Sequence, residues 1–300
     1  MTQNFPDRFT QIVTNTFEEE GVAWLQQRPE LLAQVAEQHN LTIGKPFDLS
    51  YNYVTSATDA DGNPLVLKLG VPRQELIDEM NALRIYNGRA ANKIYHGDPE
   101  MGLLLLEQVF PGQTTYQHGL ADDDQATRDV AELMKNLWRP LPEQHTFRSI
   151  QDWGKGFTRL REHFNGKTGP FPEDFIIQAE ELYQRPIENP VLLHGDLHHG
   201  NALSGTKRPW IAIDPKGIVG PPIYECGAWL RNPIPDELTS PHAKALFGRR
   251  CAIFAEHLNC PIDEIKAWGI AQALLSAWWS LEDNDPNWQI MLDFAQKIRE

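Results

Sequence analysis

Hydrophobic and polar positions change period several times along this chain, and the changes mark out its elements. Phe9, Ile12, Val13, Thr16 and Phe17 lie at helical spacing, and Leu31, Leu32, Val35 and Ala36 repeat it after Pro29. A proline suits the first turn of a helix, where its missing N–H is no loss, so residues 7–40 are expected to hold two helices, the second starting at Pro29. From Leu41 the period shortens to two. Phe47, Leu49, Tyr51 and Tyr53 alternate with polar residues, which predicts a strand through about Ala57. Asp59-Ala60-Asp61-Gly62-Asn63 is a hairpin turn signal, and Leu65–Leu69 is the returning strand. Leu76, Met80, Leu83 and Tyr86 restore a helical stripe over 73–89. Lys93–His96 and Leu103–Leu106 read as two more strands, the second apolar at every position and so buried on both faces. After Gly112 the pattern turns helical: 122–138, 150–164, 173–185, 240–258, 261–281 and 286–299. Between these lie two short strands, Val191–Leu193 and Trp210–Ile213, and a helix beginning near Tyr224. Trp268, Trp278, Trp279 and Trp288 are expected to pack the last helices together; stacking on a sugar is the lesser reading.

Composition narrows the class. At 300 residues, 41% apolar and 23% charged, with nine Trp, the chain has material for one large domain or two lobes with real cores. No apolar run approaches a membrane span, and the N-terminus lacks the basic and apolar regions of a signal peptide. Three cysteines without a CxxC spacing (Cys226, Cys251, Cys260) read as reduced core thiols of a cytoplasmic protein. A net charge of −14 without a basic patch argues against nucleic acid, and would draw a polycationic ligand to an acidic cleft.

Against this background one stretch stands out: Val191-Leu192-Leu193, then His194-Gly195-Asp196-Leu197-His198-His199-Gly200-Asn201, then Trp210-Ile211-Ala212-Ile213-Asp214. Two carboxylates and an amide sit in one loop and at a following strand end. That suits phosphoryl transfer, which needs positioning and charge neutralisation rather than covalent help. Asn201 and Asp214 offer the hard oxygens that Mg²⁺ takes alongside phosphates, and Asp196 is left to meet an attacking hydroxyl. The three histidines lack further ligands at zinc spacing. Gly205-Thr206-Lys207 reverses the order a phosphate-binding P-loop requires. A second signal is Lys68, alone among the aliphatics of Leu65–Leu69. It is either an edge-strand charge or a cation reaching into a cleft. Glu75 and Glu79, one turn apart on the next helix, could each hold it.

Together these motifs resemble the aminoglycoside phosphotransferases, small-molecule relatives of the protein kinases. Leu-Leu-His-Gly-Asp-Leu-His-His-Gly-Asn and Trp-Ile-Ala-Ile-Asp-Pro-Lys-Gly resemble their streptomycin 6-kinase and hydroxyurea phosphotransferase branch, with the likeness running from about Gly44 to Asn232. The resemblance implies an α+β, two-lobed, protein-kinase-like fold: a small antiparallel-sheet N-terminal lobe for ATP (1–107) and a mainly helical C-terminal lobe for catalysis and acceptor (108–300). It implies Asp196 as the catalytic residue, Asn201 and Asp214 as magnesium ligands, Lys68 on the ATP phosphates and Glu79 as its partner, from Glu79-Met80-Asn81-Ala82-Leu83-Arg84. It makes Glu107 and Val109 main-chain contacts to adenine in the segment joining the lobes, and His194 a brace for the loop. Leu49-Ser50-Tyr51-Asn52-Tyr53-Val54 stands where protein kinases have a glycine-rich loop, so Ser50 is a candidate phosphate donor. Lys216 is a further cation within reach of phosphate. No activation loop separates Gly217 from the next helix, which suits an unswitched enzyme.

The expected activity is therefore ATP- and Mg²⁺-dependent phosphorylation of a hydroxyl on a small molecule, first a streptomycin-type aminoglycoside. Hydroxyurea, choline, homoserine or a fructosamine are alternative acceptors, and a kinase fold that binds without turnover is the non-enzymatic alternative. No nucleic acid or membrane partner is expected. Glu225, Asp236, Glu237, Glu282, Asp283 and Asp285 are the acidic candidates for a cationic acceptor.

Overall fold

The computed structural model describes residues 7–116, 122–232 and 239–299. The chain divides into two compact units. One comprises the residues up to Gly88 with Asn92–Val109; the other comprises Arg89–Ala91 and the residues from Phe110 on.

The first unit is built on an antiparallel sheet of β1 (Thr42–Pro46), β2 (Tyr53–Thr58), β3 (Pro64–Leu69), β4 (Ile94–Asp98) and β5 (Leu103–Glu107), in the order β1-β2-β3-β5-β4. Side chains alternate across a strand. Tyr53, Ala57, Leu67, Leu69, Leu103 and Leu105 therefore share one face, where Phe9, Val13, Trp24 and Val35 of α1 (Asp7–Gln38) cover them. The same alternation sends Lys68 to the opposite face, toward α2 (Gln74–Tyr86). The β2–β3 turn forms as its sequence predicts. Gly62 takes a φ of 81°, and the Asp59 carboxylate accepts the Asp61 and Asn63 N–H groups.

Two expectations fail here. The N-terminal helix does not break at Pro29; it breaks at Glu18 (φ 50°, ψ −128°), and Pro29 lies inside the second segment. A proline within a helix removes a bond and crowds the preceding turn. Burial of Trp24 and Val35 on either side of it, with the Arg28 guanidinium 4.7 Å from the Tyr53 ring centre, holds the segment continuous. Residues 47–52 are likewise not a strand. β1 and β2 pair antiparallel, Pro46 opposite Thr55, so the chain must reverse between them. Phe47 and Tyr51 lie exposed in that loop, without the apolar layer their alternation implies.

In the second unit, β6 (Pro111–Thr114), β8 (Ala202–Gly205) and β9 (Trp210–Ala212) form a sheet in the order β6-β8-β9, and β7 (Val191–Leu193) pairs with β10 (Ile218–Gly220). The segment after Gly112 is thus first a strand, not a helix; its partner is remote in sequence and leaves no local trace. The helices are α3 (Asp123–Leu137), α4 (Ile150–His163), α5 (Glu173–Gln184), α6 (Cys226–Leu230), α7 (Ala243–Leu258), α8 (Ile262–Glu282) and α9 (Trp288–Arg299). α8 carries its charges in its first turns and at its end, is largely apolar between Ala267 and Leu281, and packs against α4, α5, α6, α7 and α9. Trp268 and Trp278 are buried within this bundle, Trp279 meets Trp153 edge-on at 5.5 Å, and Trp288 lies against Phe171. No described helix is long and apolar enough to cross a membrane.

Candidate active site

The loop from His194 to Asn201 joins β7 to β8, and residues 213–217 join β9 to β10. Because β10 pairs back onto β7, the two loops lie side by side. Three hydrogen bonds tie them. Lys216 N–H donates to the His194 carbonyl (2.7 Å), Ile213 N–H to the Asn201 carbonyl (3.0 Å), and His194 Nε2 to the Ile213 carbonyl (2.8 Å). Burial pushes the His194 imidazole down to about 4, so it is neutral at ordinary pH. With Nε2 as donor, its Nδ1 accepts the Asp196 N–H at 3.3 Å. His194 is thus a brace with both nitrogens occupied rather than a proton carrier. Gly195 has a φ of 85°, and a Cβ there would stand 2.4 Å from Ile218 Cγ2; glycine is required on both counts.

The first loop carries Asp196 and Asn201, and its bond to Ile213 N–H sets Asp214 of the second loop beside them. The Asp196 carbonyl accepts His198 N–H (2.9 Å) and Asn201 Nδ2 (3.0 Å). The latter bond turns the Asn201 amide so that Oδ1 carries no hydrogen bond among the described residues, and that oxygen is available to a cation. Asp214 sits in the left-handed region at φ 57°, a conformation that costs an aspartate energy and recurs at functional sites. Around the Asp196 carboxylate stand His198, Arg231 and Lys216. Burial raises its pKa, but their positive charges outweigh this and hold it at about 2. Arg231 Nη2 bonds Oδ1 at 2.9 Å, while His198 Nε2 is 4.0 Å from Oδ2, too far for a hydrogen bond.

Beneath the loop lies Glu225, fully buried. Its Oε2 accepts His194 N–H (2.7 Å) and its Oε1 accepts Gly195 N–H (2.8 Å). Burial raises this carboxyl to about 7 despite the two amides that favour its charged form. Glu225 therefore does not face an acceptor, and that expectation is corrected. Among the other acidic candidates, Glu282 is paired with Arg159 (2.7 Å) and Asp285 accepts Asn287 N–H and Nδ2 (2.9 Å each). Burial raises the pKa of Asp283. Asp236 and Glu237 lie outside the described residues.

In the first unit, Lys68 Nζ lies 2.8 Å from both carboxylate oxygens of Glu79, with both side chains buried. Glu75, one turn earlier, is exposed. Ser50 lies exposed in the 47–52 loop. Glu107 ends β5, its N–H donating to the Lys93 carbonyl (2.8 Å) and its carboxylate accepting Lys93 N–H (3.0 Å). Val109 follows in irregular chain and makes no backbone hydrogen bond among the described residues.

The model of one family, "aminoglycoside/hydroxyurea antibiotic resistance kinase", matches residues 39–284. The chain belongs to that family. Streptomycin 6-kinase of Streptomyces glaucescens is 27% identical over 284 residues, spanning 93% of this chain and 91% of that protein. Hydroxyurea phosphotransferase of Kitasatospora aureofaciens is 26% identical, spanning 88% and 76%. Among solved structures, a thermostable mutant of aminoglycoside phosphotransferase APH(4)-Ia in ternary complex with ADP and hygromycin B aligns over 89% of this chain and 96% of that one, with a TM-score of 0.64 at 14% identity. At that identity the likeness speaks for the fold alone. The fold is thus protein-kinase-like, with an antiparallel sheet in the first unit and a mostly helical second unit, and the chain is a small-molecule phosphotransferase.

Two residues beside the loop fall outside its motifs: Arg231, which the sequence reading does not single out, and Glu225, expected only as a contact to a cationic acceptor. Both lie in Pro222–Asn232, a stretch otherwise without charge. The argument that singles out Lys68, a lone charge in an apolar run, applies equally to them.

Proposed function

We propose that this family member transfers the γ-phosphoryl group of Mg-ATP to a hydroxyl of a streptomycin-type aminoglycoside. The observation that carries the transfer chemistry is the loop geometry: an anionic Asp196 whose carbonyl accepts Asn201 Nδ2, with the strand end that carries Asp214 tied to the same loop through Ile213 N–H and the Asn201 carbonyl. The 27% identity with streptomycin 6-kinase over most of both chains supports the acceptor class. Asp196 Oδ2, which no hydrogen bond from the described residues engages, orients the acceptor hydroxyl and takes its proton as the new P–O bond forms. With its pKa at about 2, the carboxylate is a weak base. That suits a loose transition state, in which positioning outweighs proton removal. Asn201 Oδ1 and the Asp214 carboxylate are hard oxygens that would hold Mg²⁺, which would neutralise charge on the phosphates. In residues 1–107, Lys68, oriented by Glu79, is assigned to the ATP phosphates, with Ser50 as a further donor and the Glu107 and Val109 main chain assigned to adenine. Residues 108–300 hold the transfer chemistry and the acceptor.

A coupled ADP-release assay with Mg-ATP tests this against streptomycin, other aminoglycosides, hydroxyurea, choline, homoserine and a fructosamine, with Asp196→Ala as control. Turnover with streptomycin and none in the variant is the expected result. Equal ADP release by both proteins would refute the assignment of Asp196, and turnover with another acceptor alone would replace streptomycin.

A further inference from the structure

The reactive carboxylate does not stand alone: Arg231 Nη2 donates to Asp196 Oδ1 at 2.9 Å, with both side chains largely buried. The arginine stabilises the ionised carboxylate but also occupies a lone pair of the group that must meet the hydroxyl. The geometry resolves the conflict. Arg231 Nη2 engages Oδ1, and Oδ2 makes no hydrogen bond among the described residues. The second arm of the guanidinium fork, the Nε–H, is buried and has no partner among the described residues. A buried charged donor without an acceptor loses free energy until something fills it. The fork projects Nε–H and Nη2–H toward the same side. An oxygen beside Asp196 would complete it.

The position of Arg231 is itself enforced. Buried Arg250 donates through Nη1 to the carbonyls of Trp229 (3.4 Å) and Asn232 (2.6 Å), which bracket Arg231, and Asp123 holds Arg250 from α3. The His199 ring stacks on Trp229 at 3.6 Å, tying the same segment to the catalytic loop. Arg231 thus reaches Asp196 from a rigid base.

We propose that Arg231 is a second charged group of the transfer centre, pinning Asp196 Oδ1 so that Oδ2 faces the acceptor and offering its idle Nε–H to an oxygen of the transferring phosphoryl group. No covalent step involves the guanidinium; it binds charge that moves from the leaving to the attacking oxygen. This rests on the assignment of Asp196 above.

Arg231→Met and Arg231→Lys test it beside Asp196→Asn, with unfolding midpoints confirming that each variant is folded. Two readouts are needed: kcat and KM with Mg-ATP and streptomycin, or Mg-ATP hydrolysis if streptomycin is not accepted; and calorimetric affinity for Mg-ADP with and without beryllium trifluoride, a stand-in for the phosphoryl group. Removing one such donor typically lowers kcat about 100-fold to 1,000-fold. Arg231→Met should show that loss with KM for Mg-ATP and affinity for Mg-ADP unchanged, and should forfeit the affinity that beryllium trifluoride adds. Arg231→Lys should recover part of kcat. An unchanged kcat in Arg231→Met, or an undiminished trifluoride gain, overturns the inference while leaving Asp196 in place. Full turnover in Asp196→Asn, or a wild type that neither transfers nor hydrolyses, overturns the underlying assignment and Arg231 with it.

Discussion

Glu225 offers the most direct test of how the catalytic loop is held. Its two oxygens satisfy the His194 and Gly195 amides from below, at 2.7 and 2.8 Å, with the side chain sealed from solvent. Replacing it by Gln keeps one acceptor and turns an NH₂ toward the other amide. One buried N–H is left unpaired, a loss of about 1–3 kcal/mol. Glu225→Ala strands both amides and should cost about twice that. The carboxyl also ties stability to pH. Its folded value is about 7 against an ordinary 4.5, so the folded state retains a proton that the unfolded state sheds. Stability from this group is fully present below about 4.5 and falls as pH rises to about 7, by roughly 3 kcal/mol at 1.36 kcal/mol per unit. Gln has nothing to titrate, so the gap between wild type and Glu225→Gln should narrow with pH over that window. Urea unfolding of both proteins at pH 5 and pH 7.5 measures the two quantities. A gap between the two proteins that does not change with pH would refute the reasoning.

The remaining predictions concern other parts of the site. Removing one partner of the buried Lys68–Glu79 pair should destabilise the first unit by about 3–5 kcal/mol, and the double variant Lys68→Met/Glu79→Leu by clearly less; a double-mutant cycle on unfolding free energy decides. Asp196→Asn should keep Mg-ATP affinity while abolishing transfer, whereas Asp214→Ala should weaken Mg-nucleotide binding; equal affinities by titration calorimetry would contradict that division. Gly195→Ala should lower both stability and kcat, since the new methyl meets Ile218 and the φ of 85° disfavours any side chain; an unchanged unfolding midpoint would sink the point.

Much of the site was legible because its chemistry is local. Asp196 and Asn201 share one loop, and Asp214 ends the next strand but one, so residue type and order alone suggest magnesium and phosphoryl transfer. Lys68 could be read because strand alternation makes a charge among aliphatics conspicuous. The turn at Asp59–Asn63 and the helices of the second unit follow from short-range periodicity. What the sequence could not decide is remote in the chain or depends on which surface is buried. Glu79 meets Lys68 because its position on α2 is buried, whereas Glu75 one turn earlier is exposed. β6 exists because β8 comes to lie beside it, and residues 47–52 form a loop because β1 and β2 pair, despite their alternating aromatics. Arg231 reaches Asp196 from 35 residues away, and Glu225 becomes a clamp rather than an acceptor ligand because its helix passes under the loop. Local pattern determined the candidate reactive groups and most elements; tertiary packing alone decided which charges meet, since burial and pairing are properties of the folded chain.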